Sequence, residues 1–298
     1  MISPNLLKPG DTIAIVSTAR KVQEIELIPD INLLKKWGLN IVLGNSIGVE
    51  DNQFAGDDDL RTKDFQDALD NPKIKAIWCA RGGYGTVRII DQLDFSEFKK
   101  NPKWIIGYSD VTVLHSHIHN LGFETIHAQM PLEIETRTEA TRATLKKALF
   151  GDPHIISYKT GETNFRQGQA KGQLVGGNLS ILYSLCGSPT VIDTKGKILF
   201  IEDLDEYLYH IDRMLQNLKR NGMFDHISGL IVGGMSDMND NTIPFGKTPK
   251  EMILDICGNY TFPIAFNFPA GHVEDNRALI LGREVDLEVM NKEVTLEF

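Results

Sequence analysis

An α/β protein is predicted: an open, mostly parallel sheet in an N-terminal domain, then a smaller mixed α+β C-terminal domain. Three observations carry the expectation. Short continuous apolar runs, suited to strands buried on both faces, recur through the first half at 12–16, 74–79 and 103–108. Segments of helical apolar spacing separate them, and this alternation of the two periods is the pattern of a parallel sheet. A polar tract rich in Gly, Thr and Gln then breaks the rhythm at 151–172, and the chain closes on short strands divided by turn residues.

In order, the turn Pro9-Gly10-Asp11 leads into the strand 12–16, and Ser17–Arg20 follow as a small-residue loop at its carboxyl end. Residues 23–37 read as a helix stopped by Gly38, 40–43 as a strand, and 57–69 as a polar helix with Leu60, Phe65, Ala68 and Leu69 on one side. The strand 74–79, a helix over 84–93, the strand 103–108, a helix over 111–121, a short strand at 125–128 and a helix over 140–149 complete the first half. The expected division is an α/β domain over 1–155, a linker over 156–169 and a C-terminal domain over 170–298. In the last of these, Gly176-Gly177-Asn178 opens a helix through Leu185, 207–219 is strongly amphipathic, and 249–257 is helical. Strands are expected at 197–201, 230–232, 264–268, 278–281, 285–289 and 293–297.

With 298 residues, 42% of them hydrophobic and 24% charged, the chain has the material of about two ordinary globular domains. A formal net charge of −9 argues against a polyanion-binding surface, so no nucleic-acid partner is expected. Cys79, Cys186 and Cys257 stand in apolar settings with no CxxC, which reads as free thiols in a reducing compartment. No apolar run approaches the roughly 20 residues of a membrane span, and the first residues lack a secretory pattern. A cytoplasmic protein without a membrane partner is the expectation.

Four stretches carry chemistry. In Gly107-Tyr108-Ser109-Asp110 a strand passes sharply into a helix. A serine there holds its hydroxyl clear of the backbone, and the first helical amides face what it attacks. Val111 stands where the usual elbow has glycine, and Ser109 or Asp110 capping the helix is the competing reading. Arg81-Gly82-Gly83-Tyr84-Gly85 lets backbone approach a ligand closely, or simply makes a tight turn. Glu202-Asp203-Leu204-Asp205-Glu206 follows a strand; Asp205 and Glu206 suit helix capping, whereas Glu202 ends the apolar run, where an ionised group needs a partner such as an imidazole. His272 lies in a loop after an apolar strand, open to a general-base role or to simple exposure. His115 and His119 share a helix face, but HSHIH lacks the glutamate of a zinc-protease helix; they read as packing or surface residues, with no metal site. His127 is a further candidate for the pocket wall or a semi-buried position.

Taken together and in order, these stretches resemble the LD-carboxypeptidase family of serine peptidases, which comprises murein tetrapeptide carboxypeptidases and the microcin C self-immunity hydrolases. The matching islands are GDTIAIVS at 10–17, FAGDDDLR at 54–61, IWCARGGYG at 77–85, IGYSD at 106–110, GGNLS at 176–180, FIEDLDE with YHIDRML at 200–215, and GH…N…LILG at 271–282. The resemblance implies a nucleophile at Ser109, an orienting carboxylate at Glu202 and a base at His272, meeting where two domains join. It implies oxyanion donors at the amides of Asp110 and of Gly82 or Gly83, and no cofactor. It also implies a small murein peptide as substrate, cleaved at an L–D bond to release terminal D-alanine in cell-wall recycling, and a homodimer. Arg81 is the expected contact for the substrate's free carboxylate, by position, with a structural ion pair as the alternative. Ala270 departs from the larger residue expected before Gly-His. Two other functions are weighed: an amidase acting on peptidyl or aminoacyl nucleotides, as in the immunity branch, and a non-catalytic small-ligand-binding α/β protein.

Overall fold

A computed structural model of the chain describes residues 1–160 and 166–298. The first half alternates as the two periods require. Strands β1 (Thr12–Val16) and β2 (Asn40–Leu43) flank helix α1 (Ile28–Lys36), which a 3₁₀ turn at Glu24–Leu27 introduces. Next come α2 (Asp58–Asp70), β3 (Ile74–Cys79), the short helices α3 (Thr86–Ile89) and α4 (Ser96–Lys100), and β4 (Trp104–Gly107). Helix α5 (Thr112–Asn120), β5 (Thr125–His127) and α6 (Glu139–Phe150) complete it. Strands β1 to β5 pair parallel in the order β5-β4-β3-β1-β2. Strands β1, β3 and β4 are buried on both faces, because successive residues feed opposite cores, whereas the edge strand β2 alternates exposed and half-buried positions. Ile13, Ile15, Trp78 and Ile106 enter one apolar cluster, whereas Ala14, Val16, Ile77 and Ile105 enter the other. Trp78 and Trp104 fit this interior because each indole N–H donates to a carbonyl, of Gln129 and Asn5.

The second half departs from expectation where the sequence is most polar. Within 151–172, residues Ile155–Lys159 form β6 and Gly168 begins β7 (Gly168–Asn178). Of the expected linker 156–169, both ends therefore lie in strands, and 161–165 fall outside the described residues. The polarity has a physical cause. The first part of β7 pairs antiparallel with β12 (Glu284–Val289) and is largely solvent-facing, whereas its second part pairs parallel with β8 (Ile198–Leu204) and is buried. Gly176 and Gly177 consequently sit inside a strand rather than opening a helix, and α7 (Leu179–Leu185) begins only after Asn178. A Cβ on Gly176 would overlap the carbonyl of Phe200, so the glycine marks close backbone approach rather than a turn.

Helix α8 (Leu208–Arg220) lays Ile211, Met214, Leu215 and Leu218 on the sheet, and β9 (Gly229–Ser236) runs four residues beyond the expected 232. Helix α9 (Pro249–Ile256) and β10 (Ile264–Ala265) follow; β10 stops three residues short of the expected 268. The second sheet has the order β10-β9-β8-β7-β12-β13-β6, with β13 at Glu293–Glu297. Strand β11 (Leu279–Leu281) returns to the first sheet and pairs antiparallel with β5, giving it its only antiparallel edge among the described residues. One junction sets the site: the end of β7 packs on the start of α5. The Asn178 amide donates to Thr112 Oγ1 at 3.0 Å, and Gly177 leaves no room between them for a side chain. Glu202 on β8 pairs with Asn178, so this contact carries β8 to the elbow that precedes α5. No helix among the described residues is long and apolar enough to cross a membrane.

Candidate active site

Strand β4 ends at Gly107, and the chain turns through Tyr108 and Ser109 into α5. Ser109 is held at φ 63°, a left-handed conformation that costs a side-chain-bearing residue energy and is sustained only by what surrounds it. Behind the turn, His115 is fully enclosed, with Nε2 2.9 Å from the Gly107 carbonyl and Nδ1 2.8 Å from Thr125 Oγ1. Burial depresses it to about 4 despite the Gly107 contact, so it is a neutral buttress of the elbow. On the far side, the Asp110 carboxylate accepts from the Thr86 amide at 2.9 Å, tying the elbow to the start of α3. Burial raises the Asp110 carboxyl, and the Thr86 hydrogen bonds oppose that.

Gly82 borders the serine. A Cβ there would lie 3.4 Å from Ser109 Cβ and 3.6 Å from the Asp110 nitrogen. Gly83 faces elsewhere: its φ is +107°, and a Cβ would press on the Arg20 side chain.

The second half supplies a buried carboxylate–imidazole pair. Glu202 is 0% exposed, and its Oε2 lies 2.7 Å from His272 Nδ1 and accepts from the His272 amide at 3.2 Å. Asn178 Nδ2 donates to Glu202 Oε1 at 3.3 Å and to Asp203 at 2.9 Å, while its Oδ1 caps α7. Gly271 is required beside this pair: its φ is +97°, and a Cβ would stand 2.6 Å from Glu202 Oε2. Asn276 fixes the loop by accepting from the Gly271 amide at 2.9 Å. Burial pushes the His272 imidazole toward neutrality, but the charge and hydrogen bond of Glu202 together outweigh it and leave the pKa above 6.5. Burial, then the charge of Glu202, raise the Asp203 carboxyl to about 7.

Ser109, Asp110, Gly82, Gly83, Arg81 and His272 line one cavity of about 410 Å³, and Glu202 lies in its wall, behind His272. Tyr108 packs on the imidazole with ring centroids 4.8 Å apart. With Nδ1 committed to Glu202, Nε2 is the His272 nitrogen left for chemistry. Arg81 is half-buried, and its guanidinium donates to the Lys21 carbonyl at 3.2 Å, a backbone contact rather than an ion pair. His127 is enclosed against Tyr108 and Phe200 and does not line the cavity. The residues missed as site components are Asn178, Asn276 and Arg20. The first two stand within GGNLS and GH…N, and Arg20 in the loop after β1, at the carboxyl edge where ligands of such sheets collect.

The comparisons with known proteins agree with this architecture. Residues 13–128 match the LD-carboxypeptidase N-terminal domain, and 171–287 match the LD-carboxypeptidase C-terminal domain. The probable murein peptide carboxypeptidase of Bacillus subtilis is 34% identical over 99% of this chain and 94% of its own length. Microcin C7 self-immunity protein MccF of Escherichia coli is 26% identical over 97% of this chain and 94% of its own. The crystal structure of muramoyltetrapeptide carboxypeptidase from Oxalobacter formigenes superposes with a TM-score of 0.86 at 26% identity, covering 96% of this chain and 97% of that one. With both domains matched in order and a relative alike along nearly its whole length, the chain belongs to the LD-carboxypeptidase family of serine peptidases and is an enzyme.

Proposed function

We propose that the protein is a serine LD-carboxypeptidase that releases the terminal D-alanine of a murein tetrapeptide, with Ser109 as nucleophile, His272 as base and Glu202 as the orienting carboxylate. The observation that carries this reading is the Glu202–His272 pair, 2.7 Å apart, in the wall of the cavity that Ser109 enters on a left-handed turn. His272 Nε2 takes the Ser109 proton as the hydroxyl oxygen bonds to the scissile carbonyl carbon, and Glu202 stabilises the imidazolium. The tetrahedral oxyanion is assigned to the space beside Gly82, with the amides of Asp110 and of Gly82 or Gly83 as its donors; the 3.6 Å between a Gly82 Cβ position and the Asp110 nitrogen supports this pairing. As the C–N bond breaks, the imidazolium gives its proton to the leaving amine. Water, deprotonated by the same nitrogen, then cleaves the acyl-enzyme and restores the serine.

The domain boundary near 156–169, a cytoplasmic location in cell-wall recycling and a homodimer belong to the same proposal; the names of the relatives support only the murein-peptide part of it. The amidase reading has its own support in the 26% identity to MccF. It ranks second because Tyr108 is the one Phe, Tyr or Trp among the described residues lining the cavity. It is packed on His272 and only 6% exposed, which leaves little ring face on which a nucleobase stacks. Mass spectrometry of murein tetrapeptide and of an aminoacyl sulfamoyl nucleotide, each before and after incubation, tests the choice. Loss of one D-alanine from the tetrapeptide is the expected result; turnover of the nucleotide alone overturns it.

A further inference from the structure

We infer that Arg20, rather than Arg81, grips the free terminal carboxylate of the substrate and so sets the preference for a chain end; this rests on the carboxypeptidase reading above. The cavity is bipolar. Arg20 and Arg81 are its only lysine or arginine residues among the described lining, whereas Glu133, Asp203, Asp205 and Glu206 give the remainder a negative cast. An anionic group entering has two positive partners to choose from, and they are not equivalent. Arg81 is half-buried and donates to the Lys21 carbonyl. Arg20 is exposed to the cavity and takes part in no ion pair among the described residues, so its planar fork of donors is available to a carboxylate.

Its placement suits the task. The backbone of Arg20 is pinned, since its carbonyl accepts from Ser17 Oγ at 2.6 Å. Its Cδ and Nε lie over Gly83, where a Cβ would come within 2.5 Å of both. Gly82, the next residue, abuts Ser109. The Arg20 side chain is therefore stationed over Gly83, beside the residue that borders Ser109, on the cavity side where a terminal carboxylate would have to be met.

The test separates this inference from the reaction itself. In Ser109→Ala, calorimetry compares a tetrapeptide ending in D-alanine with the same peptide ending in D-alaninamide. The acid should bind on the order of 10–100-fold more tightly, the range for a charge-assisted hydrogen-bonded pair. Adding Arg20→Gln should erase that ratio, Arg20→Lys should restore part of it, and Arg81→Gln should leave it in place. A ratio unchanged by Arg20→Gln, a ratio lost with Arg81→Gln alone, or no binding of either peptide overturns the assignment. The same substitution in the chain with Ser109 intact should raise KM for the acid with kcat little changed, while the fluorophosphonate labelling rate of Ser109 stays as it was. If the acid binds preferentially but the intact enzyme releases no D-alanine, the hydrolase proposal fails and the carboxylate assignment stands.

Discussion

The two halves of the molecule hold their shares of the proposed site by different means. Ser109 is fixed by backbone: a left-handed residue between β4 and α5, backed by His115 and tied at Asp110 to Thr86. The Glu202–His272 pair is fixed by side chains: a buried carboxylate that also accepts from Asn178, and a loop whose Gly271 permits the approach. The geometry of Ser109, the proposed nucleophile, is thus mostly a property of one turn, whereas the Glu202–His272 pair exists only because β7, β8 and the loop after β10 converge. The two halves should break differently when perturbed.

The largest effect is expected at the serine. Ser109→Ala should lower D-alanine release by about 10⁴-fold or more, with the near-ultraviolet circular dichroism of the fold retained; appreciable turnover would place the nucleophile elsewhere. Glu202→Gln comes next, with a loss approaching 10⁴-fold, and it carries a pH signature. The raised pKa of His272 means that the pair's stabilisation is complete below pH 6.5 and is lost as pH rises through the folded pKa. Activity has the opposite sense, because the base must be neutral: kcat/KM should climb on an acid limb centred above 6.5. Without the Glu202 charge, the strongest influence opposing burial is gone, only the weaker pull of Asp203 and the retained hydrogen bond remain, and the limb should move to lower pH. A limb that does not move would mean that another group controls the profile.

Gly82→Ala tests the corner between the halves. A methyl group there would stand in van der Waals contact with Ser109 Cβ, at 3.4 Å, and fill space beside the Asp110 amide, so kcat should fall, by at most the roughly 100–1,000-fold that a lost oxyanion donor costs. Full activity would remove this corner from the reaction. The smallest effect on chemistry, though not on folding, should come from Gly177→Ala, where the new Cβ collides with Thr112 at the β7–α5 junction. Overpacking of this kind costs about 1–3 kcal/mol, read as a lowered midpoint in urea, with KM and kcat of the surviving folded fraction close to normal. If kcat falls as steeply as stability, the junction tunes the alignment of Glu202 with the elbow and does more than hold the halves together.

Much of the first half was legible in the chain because its signals are local. A parallel strand buried on both faces must be apolar throughout, so β1, β3 and β4 announce themselves, and the strand-to-helix turn at Ser109 follows from where one period stops and the other starts. Strand β7 was hidden because it changes partners along its length. Its polar half borders solvent and its glycines serve close approach to Phe200 and Thr112, so it imitates a connector followed by a helix start. Arg81 drew attention through its neighbours Gly82 and Gly83, whereas Arg20 is one arginine in an ordinary loop until the fold lays it across Gly83.

The sequence by itself determined the alternation of strand and helix, the elbow and the residue types that suit each catalytic role, since these depend on spacing within a few turns of chain. Only the tertiary structure decided that Glu202 meets His272 across 70 residues, that β11 crosses back to the first sheet, and which exposed arginine faces the cavity with no ion pair among the described residues. Those outcomes depend on long-range pairing, on which glycine leaves room for which neighbour, and on burial that shifts an imidazole or a carboxyl only once the surrounding elements have closed around it.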